Sequence, residues 1–266
     1  MNNQQSTGKV TLAGAGPGDA ELITVKLQRR LADAEVIIID RLVNPLIVEE
    51  HASAAALVIQ AGKQGYNEAS LSQEEVTALI IEHALKGKRV LRLKGGDTAF
   101  FSNVLDELQA LQQHSISFEI IPGITAASGA SAYTGIPLTA RGYSQSVQFL
   151  TFNPNSYYSS EKWKSIASSN DTLVFYMAAK NITDLAELLL RFSRKSLTPL
   201  AVIEQATTAN QQIHISTLKD CITNFAGRQF SSPSLIIIGE VVNLQQDFNW
   251  FAANSTGSVF NELVTV

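Results

Sequence analysis

The 266-residue chain is 45% hydrophobic and 17% charged, with a formal net charge of −4. Those values fit a folded globular protein long enough to bury a sizeable core, and they argue against a disordered chain. No long basic run occurs, so overall charge advertises neither nucleic acid nor an anionic membrane surface, and an anionic ligand must be held by local cations.

Cys221 is the single cysteine, which rules out an internal disulfide and a cysteine-based zinc site and reads as a buried structural thiol. His51, His83, His114 and His214 stand far apart without ligand spacing, so no metal is expected. The opening MNNQQSTGK lacks the apolar core of a secretion signal, and the longest apolar runs are of strand length. The expectation is a cytoplasmic protein with no membrane or nucleic-acid partner.

In chain order, residues 1–8 read as a flexible lead-in and VTLAGA at 10–15 as a first strand. After a glycine turn, Ile23, Leu27, Leu31 and Ala34 recur at helical spacing, and VIIID at 36–40 is a second buried strand. LVIQA at 57–61 predicts a third strand. Ser72 with Glu75 forms a capping box that opens a helix with Val76, Leu79, Ile80 and Leu85 on its apolar face and Gly87 at its end. RVLRL at 89–93 runs into KGGD, a helix near 103–113 follows, and FEII at 118–121 leads into a PGI turn.

Strands alternating with helices predict a parallel sheet, and each glycine-rich turn follows a strand, where ligands of open α/β sheets sit. From about residue 138 the strands QSVQFLTF, TLVFYM, TPLAVIE, QIHIST and PSLIIIG, broken by a helix over 182–192, predict a second, mixed-sheet domain. The expected division is 9–137 and 138–251, with a tail at 252–266 that reads as mobile or as a late addition.

Gly14, Gly16 and Gly18 suggest a nucleotide loop, but Asp19 stands where a dinucleotide fingerprint wants its third glycine, and Pro17 lacks an N–H for a phosphate. A less phosphate-dependent ligand is favoured over NAD or a merely structural turn. Asp40, at a strand end, could be a helix cap or a site base. Lys94 to Asp97 is either a turn with a solvated lysine or a second ligand loop. The small residues from Gly123 to Ala132 would serve a flush ligand or close helix–sheet packing equally well. No single loop decides the chemistry.

Ten ordered segments together do: GAGPGD at 14–19, DRLV at 40–43, GK at 62–63, SQEE at 72–75, RLKGGD at 92–97, PGITAA at 122–127, GIPLT at 135–139, QSVQF at 145–149, TLVFYM at 172–177 and GEVV at 239–242. On these the chain resembles the uroporphyrinogen-III C-methyltransferases of the tetrapyrrole methylase family. The resemblance implies two α/β domains enclosing an active-site trough, usually as a homodimer, and methylation of uroporphyrinogen III at C2 and C7 to precorrin-2, on the way to siroheme or cobalamin. It also implies S-adenosylmethionine as methyl donor.

Carried over by motif, donor contacts fall on Gly14, Gly16, Pro17, Gly95, Gly96, Asp97, Phe100, Thr125, Ala126, Met177 and Ala206. Asp40 matches the proposed proton acceptor and Lys63 the proposed donor. Arg141 matches an arginine associated with the substrate, and Asn103 and Asp106 fall in the family's substrate motif after GGD; Arg41 and Lys94 are candidates for its carboxylates by their charge, the alternative being solvated surface cations.

Three segments depart from the family pattern. After GGD the family runs P-F-x-F-G-R-G-x-E-E, whereas TAFFSNVLDE places Asn103 at the arginine and Ser102 and Val104 at the glycines. FNPNSY at 152–157 replaces a T-G-H continuation. EQATT at 204–208 replaces E-N-G-T, so Ala206 would be strained if that position needs positive φ. The alternative is a catalytically impaired binder of tetrapyrrole or methyl donor, or a methylase of another tetrapyrrole intermediate.

Overall fold

The computed structural model describes residues 7–61, 71–154, 158–255 and 257–260. The chain divides into two compact units, residues 1–126 with 259–266, and residues 127–258.

In the first unit, β1 (Lys9–Gly14), β2 (Val36–Ile39), β3 (Leu57–Gln60), β4 (Val90–Lys94) and β5 (Ser117–Ile121) form one sheet in the order β3-β2-β4-β1-β5. All four pairings are parallel. Helices α1 (Val25–Asp33) and α2 (Leu46–His51) cover one face, packing Leu27, Leu31, Ile47 and Val48 against Ala13, Ile37, Ile39, Leu91 and Leu93. Helices α3 (Gln73–Leu85) and α4 (Leu105–Gln113) cover the other, with Val76, Ile80, Ala84 and Leu111 against Val10, Leu12, Val36, Ile38 and Val90. Strand β2 is apolar toward both faces, as a doubly covered parallel sheet requires, whereas β4 alternates Leu91 and Leu93 on one face with Val90, Arg92 and Lys94 on the other.

Neighbouring strands β1 and β4 send their chains to opposite faces, β1 into α1 and β4 into α4. Their carboxyl ends therefore flank a crevice, the place where such sheets bind ligands. The Ser72–Glu75 capping box is present in both directions, but the buried face of α3 is Val76, Ile80, Ile81 and Ala84, while Leu85 is 46% exposed. The expected face was rotated: Ile81 and Ala84 continue the stripe of Val76 and Ile80 at i+4 and i+5, and Leu85 lies past it.

The second unit holds α5 (Ala126–Thr134) from Ala127 on, then β6 (Val147–Thr151), α6 (Ser160–Ser168), β7 (Thr172–Tyr176), α7 (Ile182–Arg191), β8 (Pro199–Glu204), β9 (Gln212–Thr217), α8 (Leu218–Asn224) and β10 (Ser234–Ile238). Its sheet runs β6-β7-β10-β8-β9, with β6 and β7 parallel and the other pairs antiparallel. Helices α6, α7 and α8 pack Trp163, Ile166, Leu185, Leu189 and Cys221 on one face. Ala127, Ala130, Ile136, Val241 and Val242 pack on the other. That packing assigns α5 to this unit, so the contact division falls ahead of the helix, whereas the change of sequence texture falls behind it.

The six-residue α2 and the polar-rich α6 and α8 were not expected from sequence. Gly8, expected to be flexible, is anchored: its N–H donates to the Ala84 carbonyl (2.8 Å). Part of the expected mobile tail is also fixed. The N–H groups of Asn254 and Ser255 donate to the Ala209 carbonyl, and Gln205 Nε2 donates to the Gly257 carbonyl (2.8 Å).

Candidate active site

Three loops meet at the carboxyl edge of the first unit's sheet, and glycine is what lets them meet. Gly16 and Gly96 exchange backbone hydrogen bonds of 3.0 and 2.8 Å, and Ala15 N–H donates to the Lys94 carbonyl (2.8 Å). A Cβ on Gly14 would lie 2.5 Å from the Gly96 carbonyl oxygen, and one on Gly123 would lie 2.2 Å from the same atom. The packing alternative is therefore realised at Gly14 and Gly123: they admit loop against loop. Gly16 is buried in the same contact, and Pro17 beside it is buried too.

Asp97 serves the same junction. It is 7% exposed; its Oδ1 accepts from Ala99 N–H (2.7 Å) and its Oδ2 from Gly123 N–H (2.8 Å). The carboxylate expected at the methyl donor is thus fastened to backbone and ties the β4 loop to the β5 loop.

What the junction leaves partly open is the backbone of Gly95, Gly96, Thr125 and Ala126. Gly96 has φ +68°, and the nearest atom to a Cβ there is Ala126 N at 3.7 Å, so the position is open in space and restricted only by conformation. Phe100 follows in the loop, 36% exposed. A small-residue backbone ledge at strand ends suits a ligand pressed flat against main chain, as the expected methyl donor would be.

Asp40 directly follows β2. Its N–H donates to the Leu93 carbonyl (3.0 Å) and its Oδ1 accepts from Arg92 Nη2, while the side chain stays 37% exposed. Next to it, burial pushes the pKa of the half-buried Arg41 down, with Asp40 pulling the other way. Lys63, the expected proton donor, lies outside the described residues.

One expected substrate residue, Lys94, is placed differently from the sequence reading. Lys94 is 2% exposed and its ammonium donates to both oxygens of the fully buried Glu107 (3.1 and 3.2 Å), so its charge is neutralised inside the unit and not offered to a ligand. Asn103 is exposed at φ +51° and its Nδ2 donates to Asp106 (3.2 Å). The sequence reading missed the partner of Asp40, Arg92. Its signal was the R-L-K alternation, which puts two cations on one face of an otherwise apolar strand.

The second unit carries the remaining expected residues. Tyr176 at the end of β7 and Ile203 near the end of β8 both pair with Leu235 of β10, so Met177 and Gln205–Ala206 leave the same sheet edge at one level. Met177 has φ +56° and is 66% exposed. Ala206 is 8% exposed and is not the strained residue; positive φ falls on its neighbours Gln205 (+47°) and Thr207 (+70°), which removes the expected penalty from Ala206. Arg141 lies exposed in the turn closed by Ala140 and Ser144, without an ion pair among the described residues.

A model of the tetrapyrrole (corrin/porphyrin) methylases matches residues 9–222. The chain belongs to the tetrapyrrole methylase family. It is 41% identical over 247 residues to the siroheme synthase of Pseudomonas putida (strain W619), covering 93% of this chain and 53% of that protein. It is 43% identical over 248 residues to that of Zymomonas mobilis, covering 93% and 52%. This methylase chain thus spans about half the length of these relatives. Among solved structures, uroporphyrin-III C-methyltransferase from Thermus thermophilus complexed with S-adenyl homocysteine is 31% identical with a TM-score of 0.74, covering 89% of this chain and all of that one. The cobalt precorrin-4 methyltransferase shares the fold at TM-score 0.78 and 24% identity.

Proposed function

We propose that this tetrapyrrole methylase is an S-adenosylmethionine-dependent C-methyltransferase that converts uroporphyrinogen III to precorrin-2 by methylation at C2 and C7. The observation that carries the reading is the likeness to the Thermus thermophilus enzyme along its whole length. The partly open ledge of Gly95, Gly96, Thr125 and Ala126 supports it.

When bound, the donor supplies a sulfonium methyl that an electron-rich pyrrole carbon can displace in line. The chain's part is to hold donor and tetrapyrrole in attack geometry, which in favourable systems removes roughly 7 to 11 kcal/mol of barrier. Asp40 then takes the proton whose loss restores conjugation in the methylated ring, a role worth about 10² to 10⁴-fold. Lys63 is assigned as proton donor by the family likeness alone, as are the donor contacts of Met177 and Ala206. Arg41 and Arg141 bind substrate carboxylates. Asn103 and Asp106, which are hydrogen-bonded to each other, are assigned to the substrate by the same likeness and add no positive charge.

We further propose a homodimer, on the family resemblance alone, and a cytoplasmic location, on the polar opening of the sequence. Among the described residues no helix is long and apolar enough to cross a membrane.

Asn103 favours a second reading, a family member that binds tetrapyrrole or donor but turns over poorly, because its amide supplies no cation where the family pattern has arginine. Transfer of labelled methyl from S-adenosylmethionine to uroporphyrinogen III under anaerobic conditions tests both. Transfer supports the enzyme; S-adenosylhomocysteine binding without any transfer supports the impaired binder.

A further inference from the structure

Resting on that catalytic reading, we propose that Arg92 is the positioning residue of the Asp40 carboxylate, held from behind by Glu107 and Lys94. Arg92 is 2% exposed, and its guanidinium is distributed over four acceptors. Nη2 donates to Asp40 Oδ1, Nε to Glu107 Oε1 (3.1 Å), and Nη1 to the carbonyls of Leu93 (3.1 Å) and Ile38 (3.4 Å). Glu107, itself 0% exposed, also accepts from Lys94 at both oxygens and from Gln73 Nε2 (3.3 Å).

The result is a chain of alternating charge, Asp40–Arg92–Glu107–Lys94, with as many cations as carboxylates. Three of its members are shut away from water and only Asp40 reaches the surface. A guanidinium fixed at every nitrogen cannot swing, so the one carboxylate oxygen it engages is fixed too. The backbone adds a second clamp, since Asp40 N–H donates to the Leu93 carbonyl of the same strand that carries Arg92 (3.0 Å). Arg92 engages only Oδ1 of Asp40, while the neighbouring Arg41 acts on the carboxylate through its charge.

This arrangement is poorly explained by stability alone. Buried ion pairs give back little more than the cost of desolvating them, and apolar side chains would hold β2, β4 and α4 together as well. What it provides is a carboxylate with one oxygen immobilised and the other not engaged by Arg92, at a strand end beside the partly open backbone ledge.

The test is a double-mutant cycle on the full chain with Arg92→Met, Asp40→Asn and the pair, reading kcat, KM, S-adenosylhomocysteine affinity and thermal midpoint. Arg92→Met is expected to lower kcat about 10²-fold, the loss typical of a misplaced catalytic group, while KM and ligand affinity stay within about threefold. The double variant should be no slower than Asp40→Asn alone, because Arg92 acts only through that carboxylate. Losses that multiply, or an Arg92→Met kcat within threefold of the unaltered protein, would overturn the positioning role. Should Arg92→Met fail to fold, Arg92→Lys carries the same comparison: it keeps the buried charge for Glu107 but lacks the fork that reaches Asp40. Absence of turnover in the unaltered protein is seen before any variant is compared, and removes the catalytic reading and this role together.

Discussion

Asn103 concentrates the question of how far this chain follows its family. It occupies a left-handed backbone position, φ +51°, which asparagine tolerates better than longer side chains do, and its amide is turned to Asp106. Asn103→Arg restores a cation near Asp106 at a backbone cost of about 1 kcal/mol. We expect KM for uroporphyrinogen III to fall about tenfold, as one added charge-assisted contact allows, and the thermal midpoint to fall by about 2 to 4 °C. Steady-state kinetics and a melting curve check the two effects separately.

Lys94 is the opposite case, a cation with no ligand role. Lys94→Met leaves Glu107 buried beside Arg92 and Gln73 only, and should cost about 3 kcal/mol in urea unfolding. A change below about 0.5 kcal/mol would show that the buried charge chain is not needed for stability.

Among the elements, the loops after β1, β4 and β5 separate glycines that admit neighbouring backbone from the glycine that faces open space. Gly123→Ala puts a methyl 2.2 Å from a carbonyl oxygen, so the junction must open. It should destabilise the protein strongly and reduce soluble yield. Gly96→Ala meets nothing closer than 3.7 Å and bears only the conformational cost of φ +68°, roughly 1 kcal/mol. It should fold, yet weaken S-adenosylhomocysteine binding by more than tenfold in calorimetry, because its methyl stands on the ledge.

The β8–β9 pair adds a pH dependence. His214 Nδ1 accepts from Arg228 (3.0 Å), leaving Nε2 to donate to Glu204 (3.0 Å). Burial, helped by the Arg228 charge, holds the imidazole pKa below its ordinary 6.5, against the pull of Glu204. The unfolded chain then binds the proton more readily than the folded one, so stability is full above pH 6.5 and is lost as pH falls from 6.5 through the depressed folded value. Denaturant midpoints at pH 7.5 and 5.5 should differ in that sense, and His214→Gln should shrink the difference.

These elements also show what was legible beforehand. Strands β1, β2, β4, β8 and β10 stand out because each is an apolar run cut by glycine or charge. The start of α3 is written in its capping box. The phase of α3 was missed because three adjacent apolar residues, Leu79, Ile80 and Ile81, fit two stripes. Helix α2 escaped notice because six residues hold less than two turns of periodicity.

At the scale of the whole molecule, a chain of net charge −4 is proposed to bind a polycarboxylate, so recognition must rest on a few exposed cations such as Arg141. Exposed charges are screened over about 8 Å at physiological ionic strength. KM for uroporphyrinogen III should therefore rise severalfold between low salt and 0.5 M salt, while S-adenosylhomocysteine affinity, proposed to rest on the uncharged backbone ledge, should change little.

The family was legible because three of its motifs, GAGPGD, RLKGGD and PGITAA, run into strand-end loops whose glycines are constrained one by one. The network behind Asp40 was not legible: Arg92 and Glu107 lie fifteen positions apart in sequence, and only the packing of α4 on β4 brings the guanidinium to the carboxylate.

The most direct measurement is the mass of the tetrapyrrole product after anaerobic incubation of the purified chain with S-adenosylmethionine and uroporphyrinogen III. A product heavier by two methyl groups, lost in Asp40→Asn, is the result expected of a C-methyltransferase working through that carboxylate. Unchanged uroporphyrinogen III in the presence of bound donor would contradict it.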